Sequence, residues 1–569
     1  MATGQNELFK DKFPTEAKAV RRIFVVGVIT LGIGAIMGLL QVLHRTDKLR
    51  IISSGDYYTY LTLHGVNMVI FWAILAILGT FTWAVPRSLD RSLGNPKFTC
   101  GWVRLGLIGI ILAEIAMFAG FIKGDVPILG NMQADVLYTF YAPLKAHPIF
   151  YVGLVLYVVA SWLAGFDYFT ALWDWKKDNP DERIPLQTFI AVTTMMFWQL
   201  ASLGIAISVI FFLLPWSLGI IGQVDPLLTR TLFWITGHPI VYFWLMPAYL
   251  AWYTVLPKLS GGRLFSDPLA RVVFILFLLL SAPVGFHHQY MDPGVPNGFK
   301  YVVMSNTMFL LLPSLLTAFT AVASMEHGAR QRGGTGRLGW LKALPWEKPQ
   351  FSAMALAGLF FAAGGFSGMV NAALNLNYLV HNTLWVPGHF HLTVGSAVTL
   401  TMMGLIYWLY PQLTGKDLSL KGLAMVQPYL WFIGMTFMSN AMHRAGLAGS
   451  PRRTAEPTYR LFEFTAPLGS MSEIRWQLAI GGVFLFISSL AFIAVLVASV
   501  FAGSRIDAAQ HDFTIPEPLS GPEDGPLILD NLKLWGAIAV VLLLLAFGVP
   551  VMSWVADGPL TPGAVPVRP

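Results

Sequence analysis

Val386-Pro387-Gly388-His389-Phe390-His391 opens a long apolar run with two imidazoles two residues apart. On an α-helix that spacing is about 200° of rotation, so His389 and His391 point to nearly opposite sides. They cannot easily share one metal, whereas haems standing on the two flanks of a helix would each find a ligand there. Taken alone, the stretch fits equally well a pair of polar residues capping a membrane helix. A second stretch, Gly237-His238-Pro239-Ile240-Val241-Tyr242, sets a tyrosine four residues after a histidine, on the same helical face. A third, ending Gly285-Phe286-His287-His288, adds two adjacent imidazoles. Three imidazoles with a phenol beside them suit a copper ion. A packing aromatic is the plainer alternative for Tyr242.

These residues need a scaffold, and composition says which kind. The chain has 569 residues, 55% of them hydrophobic and 12% charged, with a mean hydropathy of +0.62. That excludes a soluble multidomain protein and implies an all-α, polytopic membrane helix bundle. Apolar runs long enough to cross a ~30 Å hydrocarbon core mark about 13 transmembrane helices, starting near residues 22, 57, 102, 148, 187, 226, 267, 300, 350, 386, 421, 475 and 532. Residues 1–569 read as a single membrane-embedded domain with a polar segment at 1–20 and no cleavable leader. The connections at about 326–350, 446–475 and 503–531 are rich in Gly, Pro and charge and read as loops. Gly358, Gly364, Gly365 and Gly368 in the ninth span are taken as helix-packing residues and nothing more.

Basic residues fix the orientation. Lys10, Lys12, Lys18, Arg21 and Arg22 precede the first span, and Lys or Arg groups follow the second, fourth, sixth and eighth, such as Arg87 and Arg91, Lys176 and Lys177, Lys258 and Arg263, and Arg330 and Arg332. Arg45 to Arg50 and the group Arg444, Arg452 and Arg453 are the exceptions. The positive-inside rule puts the N-terminus in the cytoplasm and the C-terminus outside. His64, His238, His287, His288, His389 and His391 then all fall in the outer half of the bilayer. Six imidazoles on four helices at one depth are costly in lipid unless they pair or bind something, which points to metal or cofactor ligation. The net charge of +7 is a topology signal, with no nucleic-acid partner implied. Cys100 is the one cysteine, so the chain by itself holds no disulfide, iron-sulfur cluster or thiolate-bridged copper pair.

The stretches GHPIVYFW, VGFHHQ and HNTLWVPGHFHL, with His64 upstream in LTLHG, resemble the catalytic subunit I of the haem-copper terminal oxidases, most closely the B-type cytochrome c oxidases. The resemblance covers nearly the whole chain. It implies an oxygen-reducing, proton-translocating respiratory enzyme of a prokaryotic inner membrane. It implies that His64 and His391 are the axial ligands of a low-spin haem b. His389 becomes the proximal ligand of a high-spin haem, expected to be of a-type. His238, His287 and His288 would hold one copper ion, with Tyr242 joined to His238 as proton and electron donor. Arg452, Arg453 and His381 match positions that hold haem propionates, a use suited to guanidinium. The implied partners are a subunit II carrying a dinuclear copper electron-entry site, cytochrome c, a small single-span subunit and the lipid bilayer. A nitric oxide reductase-like enzyme or a non-haem transporter is the alternative; Tyr242 argues against the former.

Ile240 stands where the similar A-type oxidases carry a glutamate, so a second proton channel is not expected. One path is. Tyr249 and Tyr253 follow Tyr242 by seven and eleven residues, within about 20° of one stripe. Ser314 and Thr317 share a face of span eight, and these positions match the single proton path of the B-type family. Asn377 stands at a position where a similar B-type oxidase carries an aspartate near a haem propionate, so the resemblance leaves His381 or Asp292 as the residues to carry any proton-loading role. Glu114, read as lying in the middle of the third span, has no family role and is a functional candidate as an intramembrane carboxylate.

Overall fold

A lone apolar segment can satisfy its backbone in lipid only as a helix, and long helices dominate the chain. The computed structural model describes residues 7–46, 49–122, 125–126, 130–131, 142, 144–292, 295, 297–455 and 469–556. Residues 1–6 of the polar N-terminal segment and 456–468 of the loop at 446–475 lie outside them. The membrane helices are α1 (Pro14–His44), α2 (Ser54–Leu89), α3 (Pro96–Ala119), α4 (Pro148–Asp178), α5 (Leu186–Ser217), α6 (Pro226–Ser260), α7 (Asp267–Gln289), α8 (Asn297–Gln331), α9 (Pro349–Ala372), α10 (Trp385–Thr414), α11 (Lys421–Leu447), α12 (Met471–Ala502) and α13 (Leu532–Met552).

Each helix answers to a start expected from the sequence. Twelve are both long and apolar enough to cross a bilayer. The other, α11, has the length at 27 residues but carries Gln427, Ser439, Asn440, His443 and Arg444. Proline at the first helical turn opens α1, α3, α4, α6 and α9, where its missing N–H is no loss. Asn95, Asp225 and Ser470 accept backbone N–H bonds as N-caps of α3, α6 and α12.

Burial sorts the bundle into centre and rim. In α10 and α6, 94% and 89% of the apolar window is buried, against 12% in α13, so the helices that carry His389, His391 and His238 lie at the centre. The segment 503–531 is a strap along one face rather than a free loop. Lys258 at the end of α6 pairs with Asp512. Arg263 donates to the carbonyls of Glu517 and Pro518 at 2.6 and 2.7 Å, and Arg183 reaches Gly525 at 2.9 Å. Basic residues that the sequence places on one side of the membrane therefore hold the strap on that side.

The strap ends in a buried ionic cluster. Arg271 of α7 pairs with Asp267 and Asp530 at 2.5 Å each, and Arg183 with Asp530 at 2.5 Å. Arg271 is fully buried; it also donates to the Ile184 carbonyl at 2.7 Å and lies over the Phe189 ring. Two guanidinium groups and two carboxylates thus balance in charge, and removing one leaves uncompensated charge in a low dielectric. Arg271→Met is expected to destabilise the protein by about 3–5 kcal/mol, whereas Arg330→Met, which breaks an exposed pair with Glu326, changes stability by less than about 1 kcal/mol. Thermal unfolding of the two variants in detergent checks this; equal midpoints would contradict it.

Candidate metal centre

The helices that carry the histidines are irregular where the histidines sit. Pro239 cannot donate to the preceding turn, and α6 breaks at His238 into Pro226–Gly237 and Pro239–Tyr253. In α7 the α-helix ends at Ser281, and after Pro283 and Gly285 a single 3₁₀ turn, Phe286–Gln289, presents His287 and His288. In α2 a π-helical stretch, Val66–Trp72, begins two residues after His64. Another, Thr393–Val398, begins two residues after His391 in α10. Widened turns of this kind occur mostly at functional sites.

The six imidazoles divide into two groups, joined by one cavity of about 490 Å³ that all six line. In the first, His238 Nδ1 lies 2.8 Å from His287 Nε2 and 2.9 Å from His288 Nε2. One Nδ1 can donate or accept a single proton, so it cannot satisfy both neighbours. A cation bound by three neutral imidazoles resolves that conflict, and the donor set suits copper or zinc. The other nitrogen of His238, Nε2, is 2.8 Å from the Tyr242 hydroxyl. His288 is held from behind by Trp234, whose ring stacks on it at 3.8 Å and 5°. His287 Nδ1 lies 3.2 Å from the Thr307 hydroxyl.

The second group consists of His64, His389 and His391. His64 and His391 face each other with ring planes 9° apart and centroids 6.2 Å apart. Two metal–nitrogen bonds of about 2 Å plus the two ring radii span about that distance, so the pair fits the axial ligation of one iron from opposite sides. Each of the three rings has its Nδ1 tied to a carbonyl: His64 to Gly34 at 2.7 Å, His391 to Pro387 at 2.7 Å and His389 to Gly364 at 2.9 Å. A carbonyl only accepts, so Nδ1 carries the proton and Nε2 keeps its lone pair for a metal. Two glycines make room for the rings. A Cβ on Gly38 would stand 2.8 Å from His64 Cε1, and one on Gly368 would stand 2.7 Å from His389 Cε1.

The remaining expected residues fall in three places. Arg452, Arg453 and His381 line the same cavity. Arg452 is anchored by donating to Asn382 Oδ1 at 2.8 Å. His381 Nδ1 lies 3.2 Å from Asn377 Oδ1. Burial, joined by the Arg452 guanidinium, opposed by Asp292 and reinforced by Arg230, pushes the His381 imidazole down to about 4, so it is neutral at pH 7. Asp292 is paired with Arg230 at 2.7 Å. On the proton path, the Tyr253 hydroxyl is 2.7 Å from Thr317 Oγ1. The buried Tyr249 hydroxyl faces Ser314 and Thr317 without a bond of normal geometry. Glu114 lies five residues from the end of α3, nearer the helix end than its expected place in the middle of the span.

Several supporting residues carried no readable signal in the sequence. The carbonyls of Gly34 and Gly364 are invisible to residue type, and Trp234 and Thr307 look like ordinary membrane-helix residues. Gly364 packs closely on α10, where a Cβ would meet Thr393 at 2.6 Å, as its reading as a helix-packing residue expects, and beyond that its carbonyl and the space at Gly368 seat His389.

A family described as Cytochrome C and Quinol oxidase polypeptide I matches residues 18–484. The chain is 42% identical over 547 residues to cytochrome c oxidase subunit 1 of Thermus thermophilus, covering 94% of each chain. It is 25% identical over 504 residues to cytochrome c oxidase polypeptide 1 of Halobacterium salinarum, 85% of this chain and 78% of that one. A probable quinol oxidase subunit 1 of Staphylococcus epidermidis is also 25% identical, over 510 residues, 84% of this chain and 71% of that one. A heme-copper terminal oxidase dimer solved by cryo-EM has the same fold, with a TM-score of 0.85 and 36% identity over 95% of this chain and 92% of its own. With two histidine groups fit for haem iron and copper on that shared fold, the chain belongs to the cytochrome c and quinol oxidase polypeptide I family, as the catalytic subunit of a haem-copper terminal oxidase.

Proposed function

We propose that this subunit reduces O₂ to water between a high-spin haem held by His389 and a copper ion held by His238, His287 and His288. Its electrons come from cytochrome c through a partner subunit II with a dinuclear copper site, and pass by a low-spin haem b held by His64 and His391. The observation that carries the reading is the two-sided use of His238: Nδ1 faces the other two copper-type ligands, and Nε2 faces the Tyr242 hydroxyl at 2.8 Å. A phenol at that contact supports oxygen reduction over the nitric oxide reductase reading, in which a glutamate would stand there. Ile240, in place of a glutamate, supports the B-type. The high-spin haem is assigned as a-type. Residues 1–569 act as one membrane-embedded catalytic domain in a prokaryotic inner membrane, with the N-terminus and the strap cytoplasmic and the C-terminus outside. A small single-span subunit completes the assembly.

When bound, haem iron and copper supply the electrons and the seat for O₂. The protein's own residues supply protons and position. Tyr242 holds a proton on its hydroxyl, beside His238, for delivery during O–O cleavage. Protons reach it from the cytoplasmic side along Thr317, Tyr253, Ser314 and Tyr249. The Tyr253–Thr317 contact supports this order, and the Tyr249 hydroxyl, beside Ser314 and Thr317, continues it toward Tyr242. Arg452 and Arg453 meet the haem propionates with charge, and His381 with a neutral ring that a nearby carboxylate would favour protonating. Proton uptake from one side is coupled in this way to proton translocation.

Three outcomes test the assignments. His64→Ala removes the low-spin haem and leaves copper bound, so a reduced-minus-oxidised spectrum with metal analysis goes from two haems per copper to one; two haems with unchanged bands contradict the ligand pair. Tyr242→Phe keeps both haems and lowers oxygen consumption by about 10²-fold or more, and near-normal turnover would rule out its role as donor. Thr317→Val and Tyr253→Phe each remove the 2.7 Å contact with little change in shape. Both are expected to slow proton uptake by about tenfold or more with spectra unchanged, and stopped-flow measurement with a pH dye at the wild-type rate would place the path elsewhere.

A further inference from the structure

Glu114 takes no part in the chemistry above, yet it is a half-buried acid in the outer part of α3 whose carboxyl oxygens are shielded from solvent. Both of its oxygens lack a hydrogen bond of normal geometry, and the side chain they face is Asn67 of α2. Asn67 is fully buried, and both of its amide atoms are likewise without a bond of normal geometry. The other side of Glu114 is an apolar groove of about 360 Å³ between α1 and α3, lined by Ile29, Ile33, Ile110, Ile111 and Ile115. Thr30, the other polar residue of that lining, has its hydroxyl committed to the Gly27 carbonyl.

The pair backs directly onto a haem ligand. Asn67 follows His64 by three residues, about one helical turn, within the π-helical stretch of α2. Gly34, whose carbonyl holds His64 Nδ1 at 2.7 Å, lies so close that a Cβ on it would touch Asn67 Cβ at 3.5 Å. Glu114, Asn67, Gly34 and His64 are thus contiguous.

We propose that Glu114 binds a proton when the low-spin haem is reduced and releases it when that haem is oxidised, tying the potential of this haem to pH. The inference rests on the assignment of His64 and His391 to that haem. In the step, one electron from the donor reduces the ferric iron to ferrous and one proton from solvent protonates the Glu114 carboxylate, so the buried charge is unchanged. An electron added to the nearby haem iron favours uptake of a proton by the carboxylate, because the added proton offsets the added charge. At about 10 Å and an effective dielectric constant of about 20, one charge changes the proton-binding constant roughly tenfold. The groups that face the carboxyl, Asn67 from α2 and Thr30 from α1, carry no charge that could mask the effect. Beyond Asn67, on α2, His64 is occupied by the Gly34 carbonyl and the iron. On α4, Tyr157 has its hydroxyl on the Phe71 carbonyl at 3.3 Å.

The sign follows. The midpoint potential is flat at low pH, where Glu114 is protonated in both redox states. It falls as pH rises through the interval in which only the reduced state holds the proton, and is flat again above it. A tenfold change corresponds to a fall of about 59 mV for one electron. The test is spectroelectrochemical titration of the low-spin haem across pH, with the high-spin haem kept reduced by carbon monoxide. Glu114→Gln should lack the fall and stay near the wild-type low-pH potential. A variant that keeps the whole wild-type pH dependence overturns the proposal. Infrared difference spectra of the wild type on reduction of this haem give a reading independent of the variant's assembly: a protonated-carboxyl C=O band should appear, and its absence overturns the proposal as well. Loss of the low-spin bands from the wild type would instead refute the ligand assignment, so the two failures are distinguishable.

Discussion

An imidazole buried in a bilayer has two nitrogens to satisfy and no water to do it, and the architecture follows from that constraint. In the haem-type group the chain meets half of the demand itself, giving the Nδ1–H of His64, His389 and His391 each a backbone carbonyl. The other half, the Nε2 lone pair, is left free for the haem iron proposed above. Two of the three carbonyls come from a neighbouring helix, Gly34 on α1 for His64 and Gly364 on α9 for His389. The contacts of α1 with α2 and of α9 with α10 therefore set ring orientation as well as packing. A shift of one helix by even a fraction of a turn would leave a donor unpaired at a cost of about 1–3 kcal/mol.

Irregular helix is the second part of the same solution. A regular helix spaces side chains by a fixed rotation, which cannot aim three imidazoles from α6 and α7 at one point. The break at His238 and the 3₁₀ turn at Phe286–Gln289 supply that freedom. Both sit in the protein interior, where freed backbone groups can find partners rather than face lipid. Below the break, α6 resumes as Pro239–Tyr253, and this regular segment carries Tyr242, Tyr249 and Tyr253 down one stripe. A second break, at Thr254, ends that segment just beyond Tyr253, so the tyrosine stripe runs between two interruptions of one helix.

How much of this was legible in the sequence varies by element. Span positions were readable, because hydropathy in lipid depends on segment composition alone, and α11 is the telling case: it is helical and long, but its polar residues thin the apolar signal. The division of His389 and His391 between two sites was readable from rotation, since two residues on a helix stand about 200° apart. The break at His238 was half legible through Pro239. The π-helical stretches were not, because an extra residue in a turn depends on what packs against it. Nor were the carbonyl partners, since every residue has a carbonyl and only the fold decides which one faces an imidazole. Glu114 was conspicuous as an acid in lipid, but its meaning depended on Asn67, whose place behind His64 is a tertiary fact.

The far end of the tyrosine stripe, the proposed proton path, has its own logic. Tyr253 and Thr317 bond directly, while Tyr249, one turn nearer the metals, is buried with its hydroxyl uncommitted. A continuous chain of committed hydroxyls would conduct only by reorienting every member, whereas an uncommitted group can turn toward either neighbour. On α8 the helix breaks at Leu310, between Asn297–Phe309 and Leu311–Gln331. Ser314 follows the break by four residues and returns its hydroxyl to the Leu310 carbonyl at 3.1 Å, and it also lines the metal-site cavity. Ser314, one turn past this break, is among the groups that face the Tyr249 hydroxyl, between the Tyr253–Thr317 contact and the copper-type ligands. That is where a structure needs slack if protons are to move inward one at a time while the histidines above stay fixed.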